Sequence, residues 1–88
     1  RQDLAISEPV RAQVKHVLDH PPAAFAGVEI SHVNKLDGCK LVLPDGGWYL
    51  IRLSGTEPIV RCYGEAKSPE RLAEIMKAGR ELLHIPAI

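Results

Sequence analysis

Cysteine is scarce in this chain: Cys39 and Cys62 are the only two, and they are not spaced as a Cys-x-x-Cys pair. A disulfide framework is therefore excluded, and two reduced, half-buried thiols are expected. Neither cysteine has an arginine six positions on, since Asp45 and Ser68 stand there, so a cysteine-nucleophile phosphatase is excluded as well. Net charge is also missing. Eleven basic and eleven acidic side chains cancel, which removes the broad positive field that accompanies non-specific binding to nucleic acid or acidic membranes. Aromatic residues make up 5% of the chain, too few to suggest a stacking platform for RNA. No apolar run approaches the ~20 residues that span a bilayer. No basic start followed by an apolar core marks a signal peptide. These absences point to a cytoplasmic protein that contacts neither membrane nor nucleic acid.

What remains is ordinary globular material. Eighty-eight residues with 45% hydrophobic and 25% charged content suit one domain spanning residues 1–88 and leave little room for a second core. The chain opens on Arg1-Gln2-Asp3 rather than methionine. That start suggests a piece of a longer polypeptide, with a flexible hinge expected upstream of Ser7.

Ser7-Glu8-Pro9 offers a helix start, and Val10, Val14, Val17 and Leu18 recur at helical spacing through about Asp19. His20-Pro21-Pro22 ends that helix. From Val28 the period becomes two, with Val28 and Ile30 alternating with Glu29 and Ser31. Cys39 to Leu43, Trp48 to Leu53 and Ile59 to Tyr63 read as three more strands, separated by turns at Lys35 to Gly38 and Pro44 to Gly47. Ser68-Pro69-Glu70 begins a second helix whose apolar stripe is Leu72, Ile75, Met76, Gly79, Leu82 and Leu83. Short connections favour an antiparallel meander. The predicted fold is α+β: a four-stranded antiparallel sheet with two helices on one face.

Chemistry concentrates in one loop. Arg52-Leu53-Ser54-Gly55-Thr56-Glu57-Pro58, followed by Arg61, collects two guanidiniums, two hydroxyls and a glycine between two apolar runs. A phosphate monoester presents three oxygens and up to about two negative charges, and is held by arginine forks, hydroxyls and backbone amides. Arg52, Ser54, Thr56 and Arg61 supply side-chain donors, while Gly55 permits close approach and a positive φ. A hairpin would bring both arginines to the same end of the sheet. Glu57 is out of place beside an anion, and is expected to orient an arginine or accept a sugar hydroxyl. A plain turn between two solvent-facing arginines would have the same composition.

The stretch Arg52 to Ala66, Arg-Leu-Ser-Gly-Thr-Glu-Pro-Ile-Val-Arg-Cys-Tyr-Gly-Glu-Ala, resembles the C-terminal domain of the α-D-phosphohexomutases, a family of phosphoglucomutases, phosphomannomutases and phosphoglucosamine mutases. The likeness extends to the tryptophan-bearing strand, the turns at Asp37-Gly38 and Asp45-Gly46, and the Ser-Pro-Glu helix start. It implies an isomerase in which a phosphoserine, assisted by Mg2+, passes phosphate to and from a hexose phosphate. It implies a domain resembling the TATA-binding-protein fold, in which Arg52, Ser54, Gly55 and Thr56, with Arg61, grip the phosphate that is not reacting. The implied partners are a phosphorylated hexose and the other domains of the same full-length chain.

Departures from the family pattern are few. Leu53 replaces a common proline, and Cys62 and Gly64 replace branched apolar residues, so the strand is expected to bulge or pack poorly near Gly64. The family's phosphoserine, Asp-rich metal and sugar-binding loops are absent from these residues. Ser54 also lacks a nearby histidine or lysine to act as base. The resemblance therefore implies no catalytic residue in this chain, no metal ligand and no cofactor bound by it, and an isolated chain that does not turn over substrate. His16 and His20 lie one helical turn apart with no evident third ligand, and read as an exposed helix end. A free-standing phosphate- or RNA-binding module is the alternative reading. A small phosphatase of the acylphosphatase kind is disfavoured because its arginine loop belongs early in the chain, and the only asparagine here is Asn34.

Overall fold

The strand at Trp48–Leu53 shows how alternation builds this domain. Tyr49 and Ile51 are fully buried, whereas Trp48, Leu50 and Arg52 point the other way. The same parity holds across the sheet, where Cys39, Leu41, Val60 and Cys62 are also buried. In the computed structural model, which describes residues 1–85, the elements run β1(Gln2–Ala5), α1(Glu8–Asp19), β2(Ala24–Phe25), β3(Val28–Glu29), β4(His32–Asn34), β5(Cys39–Val42), β6(Trp48–Leu53), β7(Ile59–Glu65) and α2(Pro69–Leu82).

The main sheet has five strands in the order β1-β7-β6-β5-β4, every pair antiparallel. The expected four-stranded sheet is thus corrected in two ways. Residues upstream of Ser7 are not a hinge but an edge strand: Gln2 to Ala5 pair with Cys62 to Ile59, and the Ile6 amide donates to the Pro58 carbonyl at 2.8 Å. Val28 and Glu29 do not enter the main sheet either. They pair with Phe25 and Ala24 in a separate two-stranded ribbon, turned at Ala26 and Gly27, both at positive φ (51° and 85°). Two successive positive φ values are the signature of a tight two-residue hairpin whose twist matches its strands. The fourth strand of the sheet begins later, where the Ser31 amide donates to Val42.

Both helices lie on the buried face. Val14 and Val17 of α1 and Ile75 and Gly79 of α2 share one core with the inward strand residues, and Gln13 of α1 donates to the Leu82 carbonyl at 3.0 Å. Ser68 caps α2 as its sequence promised, accepting from the Arg71 amide at 3.1 Å, while Ser7 makes no side-chain cap on α1. The second layer is thus two helices, and the outer sheet face is left open.

Gly64 does not mark a bulge: the β6–β7 register is unbroken from Trp48↔Glu65 to Leu53↔Val60. A Cβ on Gly64 would sit 2.7 Å from the Met76 sulfur, so the missing side chain lets α2 approach the sheet.

Arg71 joins three segments. Its Nε donates to Asp45 at 3.0 Å, its Nη1 to the Ala26 carbonyl at 2.8 Å, and Glu74 lies 3.6 Å away on the same helix. Asp45 also accepts from the Gly47 amide at 2.9 Å. That amide bond, with Arg71, holds the Asp45 carboxyl below its ordinary range. A depressed folded value means that Asp45 contributes stability above its unfolded pKa of about 4, and loses it as pH falls through the folded value. Asp45→Asn is therefore expected to lower stability at pH 7 and to flatten its decline below about pH 4, read from urea midpoints across that range. An unchanged acid limb would show that Asp45 has no part in it.

Candidate phosphate site

The antiparallel register sets Arg52 directly opposite Arg61, both on the open sheet face. Like charges directly opposite in a sheet repel, so this pairing works against stability unless something negative offsets it. Two carboxylates do so in part. Asp37 Oδ1 lies 3.5 Å from Arg52 Nε, and Asp3 Oδ1 lies 3.9 Å from Arg61 Nε. Asp3 is engaged more closely by Arg1, through bonds of 3.0 and 2.8 Å, and that contact first, then Arg61's charge, lowers its pKa. The Arg52 and Arg61 side chains stay 47% and 37% exposed.

The loop between the arginines folds on Ser54. Its Oγ accepts from the Glu57 amide at 3.2 Å and more loosely from the Thr56 amide at 3.4 Å, and its own amide donates to Ile59 at 3.1 Å. With its oxygen accepting inward, the hydroxyl proton is left to donate elsewhere. Gly55 does not adopt the positive φ expected of it; only Gly27, Gly38 and Gly46 do among the described glycines. The loop needs no left-handed residue because the serine closes it. A Cβ on Gly55 would meet nothing within 4 Å, so glycine leaves this side open to a ligand. The Glu57 carboxylate has no partner among the described residues, and the acids beside the arginines are Asp37 and Asp3.

Sequence reasoning missed those two acids. Asp3 lies on a strand that was not foreseen. Asp37 was read only as turn chemistry, although its turn is where Gly38, at φ 83°, passes beneath β6. A Cβ at Gly38 would come within 2.7 Å of Arg52 Cγ and 2.5 Å of the Ile51 carbonyl oxygen. A hollow of about 230 Å³ adjoins the site, lined by Asn34, Leu36, Asp37, Lys40 and Leu50. A larger one of about 660 Å³ lies against α2, lined by Phe25, Ala26, Glu74, Ala78 and Leu82 among others. It contains none of the loop donors.

Other candidates are set apart from the loop. His16 and His20 have ring centroids 5.0 Å apart, and no group of three or more His, Cys, Asp or Glu among the described residues is placed to hold a metal. Cys39 and Cys62 are free and buried, more fully than the expected half, and burial pushes both thiols up, so neither offers a thiolate near neutral pH. On the open face Lys40 Nζ sits 4.3 Å over the Trp48 ring, and Arg1 sits 5.7 Å over Tyr63.

Residues 10–82 match the family model described as "Phosphoglucomutase/phosphomannomutase, C-terminal domain". This chain belongs to that family. The matched span contains the whole Arg52–Arg61 loop and Asp37, and leaves out β1 and Asp3. Among relatives of this phosphoglucomutase/phosphomannomutase C-terminal domain, a phosphoglucomutase/phosphomannomutase of Thermococcus kodakarensis is 47% identical over 51 residues, covering 58% of this chain and 11% of that protein. A protein named "Probable phosphoglucosamine mutase" from Methanothermobacter thermautotrophicus is 42% identical over 55 residues, 62% of this chain and 12% of that protein. A phosphopentomutase of Thermococcus kodakarensis is 43% identical over 49 residues, 56% of this chain and 11% of that protein. The aligned part of the chain thus spans about an eighth or less of these relatives. No helix among the described residues is long and apolar enough to cross a membrane.

Proposed function

We propose that this domain grips the non-reacting phosphate of a sugar phosphate within a longer cytoplasmic mutase that interconverts hexose 1- and 6-phosphates. The observation that carries the reading is the register pair Arg52↔Arg61, two arginines that leave neighbouring strands from the same face beside a hydroxyl-bearing loop. A dianion between them turns a repulsive pair into two charge-assisted contacts. Ser54 and Thr56 add hydroxyl donors, and the open space at Gly55 admits the phosphate to the backbone.

The chemistry of transfer belongs to the rest of the longer protein. There we place the phosphoserine, the Mg2+ that would assist it and the contacts that recognise the sugar. The described residues offer that metal no set of three or more His, Cys, Asp or Glu ligands. Grip without sugar recognition suits a reaction whose intermediate must bind in two orientations. It also agrees with relatives named for different sugars, among them a phosphopentomutase. RNA binding is disfavoured because the Trp48 and Tyr63 rings lie under cations rather than bare.

The test is titration of the 88-residue chain with glucose 1-phosphate, glucose 6-phosphate and free glucose, followed by backbone amide shifts. Both phosphates are expected to move Ser54 to Glu57 and Arg61, with weak affinity, while glucose leaves them still. Sustained isomerisation by this chain with Mg2+ would refute the division of labour. Phosphate-independent shifts, or none in the loop, would refute the site.

A further inference from the structure

Arginine is useful to an anion only if its fork arrives correctly turned. An unrestrained guanidinium on a sheet surface samples many rotamers, and ordering it upon binding reduces affinity. Arg52 is restrained at two points. Its stem crosses Gly38, where the missing Cβ leaves room for Cγ, and its Nε faces Asp37 Oδ1 at 3.5 Å. That contact is on the side of the guanidinium nearest the stem. Nη1 and Nη2 are the pair that matches two phosphate oxygens.

We propose that Asp37 is a positioning residue for the phosphate site, its carboxylate orienting the Arg52 guanidinium toward the anion. The proposal rests on the reading of Arg52 as a phosphate ligand. Asp3 does not serve Arg61 equally, because Arg1 engages it at 2.8 Å while Arg61 stands 3.9 Å away. The Asp37–Arg52 pair is exposed, 74% and 47% for the two side chains, and such pairs add little to stability. A role in holding the fold together is therefore a poor account of it.

Charge and geometry make opposite predictions for this residue. A carboxylate beside an anion site repels the anion, so on Coulombic grounds alone Asp37→Asn tightens phosphate binding. If Asp37 sets the Arg52 fork, the same substitution weakens binding despite the lost repulsion.

The sign is read by titrating inorganic phosphate into the 88-residue chain and following the Arg52 Nε–Hε resonance and the loop amides. Wild type is expected to respond at both. Asp37→Asn is expected to weaken binding about two- to tenfold, as for losing one preordered side chain, and to broaden the Arg52 resonance before phosphate is added. Its urea midpoint stays the same. Asp37→Glu, which returns the charge one methylene further out, is expected to recover part of the affinity. Equal or tighter binding by Asp37→Asn overturns the positioning role and leaves the phosphate site standing. A wild-type chain that does not respond to phosphate overturns both.

Discussion

Arg52→Ala in the full-length mutase is expected to lower kcat/KM by about a hundredfold or more, the scale on which lost substrate positioning acts, while this domain folds as before. On the proposed reading, alanine removes a charge-assisted arginine contact from the phosphate that anchors the substrate. Stability is nearly untouched because two small effects oppose each other. The substitution ends the cross-strand repulsion with Arg61, which favours the variant, and loses the exposed Asp37 pair, which disfavours it. The net change is expected within about 0.5 kcal/mol. Steady-state kinetics and a urea melt of the same variant check both halves. Arg52→Lys sharpens the result, since it keeps the charge but not the fork, and should fall between wild type and alanine. Near-normal turnover by Arg52→Ala would remove this loop from the substrate site.

Gly79→Val is expected to do the reverse, destabilising the domain without touching the loop. Gly79 is buried on α2 above the Tyr49 ring, and a Cβ there would fall on Tyr49 Cζ and Oη, with Cε1 at 2.6 Å. The ring has nowhere to retreat, because Tyr49 is fully buried and stacks on Phe25 with centroids 5.4 Å apart. Overpacking of this kind costs about 1–3 kcal/mol, here toward the upper end because the added atoms fall on a ring that cannot move. The helix preference of a non-glycine residue returns less than about 1 kcal/mol. That is a large share of the roughly 5–13 kcal/mol available to a domain this small. A shift of the urea midpoint to much lower concentration is the expected reading. Gly55→Ala is the control: its new Cβ meets open space, so stability should hold while phosphate affinity falls. A stable Gly79→Val chain would mean that α2 can lift from the sheet.

Elements that carry their own local signal were legible in the sequence. The second helix announced its start in Ser68-Pro69-Glu70, and β5, β6 and β7 announced themselves by alternation and turn residues. Strand β1 carried no such signal, because four residues with a single strong apolar side chain, Leu4, become a strand only when β7 offers its edge. Val28 misled because it does lie on a strand, but one exposed at both Val28 and Glu29 and paired with Phe25 across an Ala26-Gly27 turn, a pair without the usual asparagine or aspartate cue. His32 to Asn34, the true fourth strand, has mostly polar side chains and depends on β5 for its definition.

The site divides along the same line. Arg52 and Arg61 were legible as neighbours because a hairpin between them requires it. Their carboxylate partners were not, since Asp37 and Asp3 reach them from another turn and another strand. The closure of the loop by Ser54 rather than by a left-handed Gly55 is likewise a matter of hydrogen bonds that composition does not display.

Tyr49 stands opposite Gly64, and three pairs further along the same ladder Arg52 stands opposite Arg61. A slip of one residue between β6 and β7 would send Ile51 to solvent and an arginine into the core. A slip of two would restore the faces but take Gly64 out from beneath Met76 and leave Tyr49 opposite a residue with a side chain. The buried fit around two glycines and one tyrosine therefore acts as a proofreader for the exposed end of the hairpin: a chain that has packed its interior correctly has, by the same act, set its two arginines side by side on the ladder.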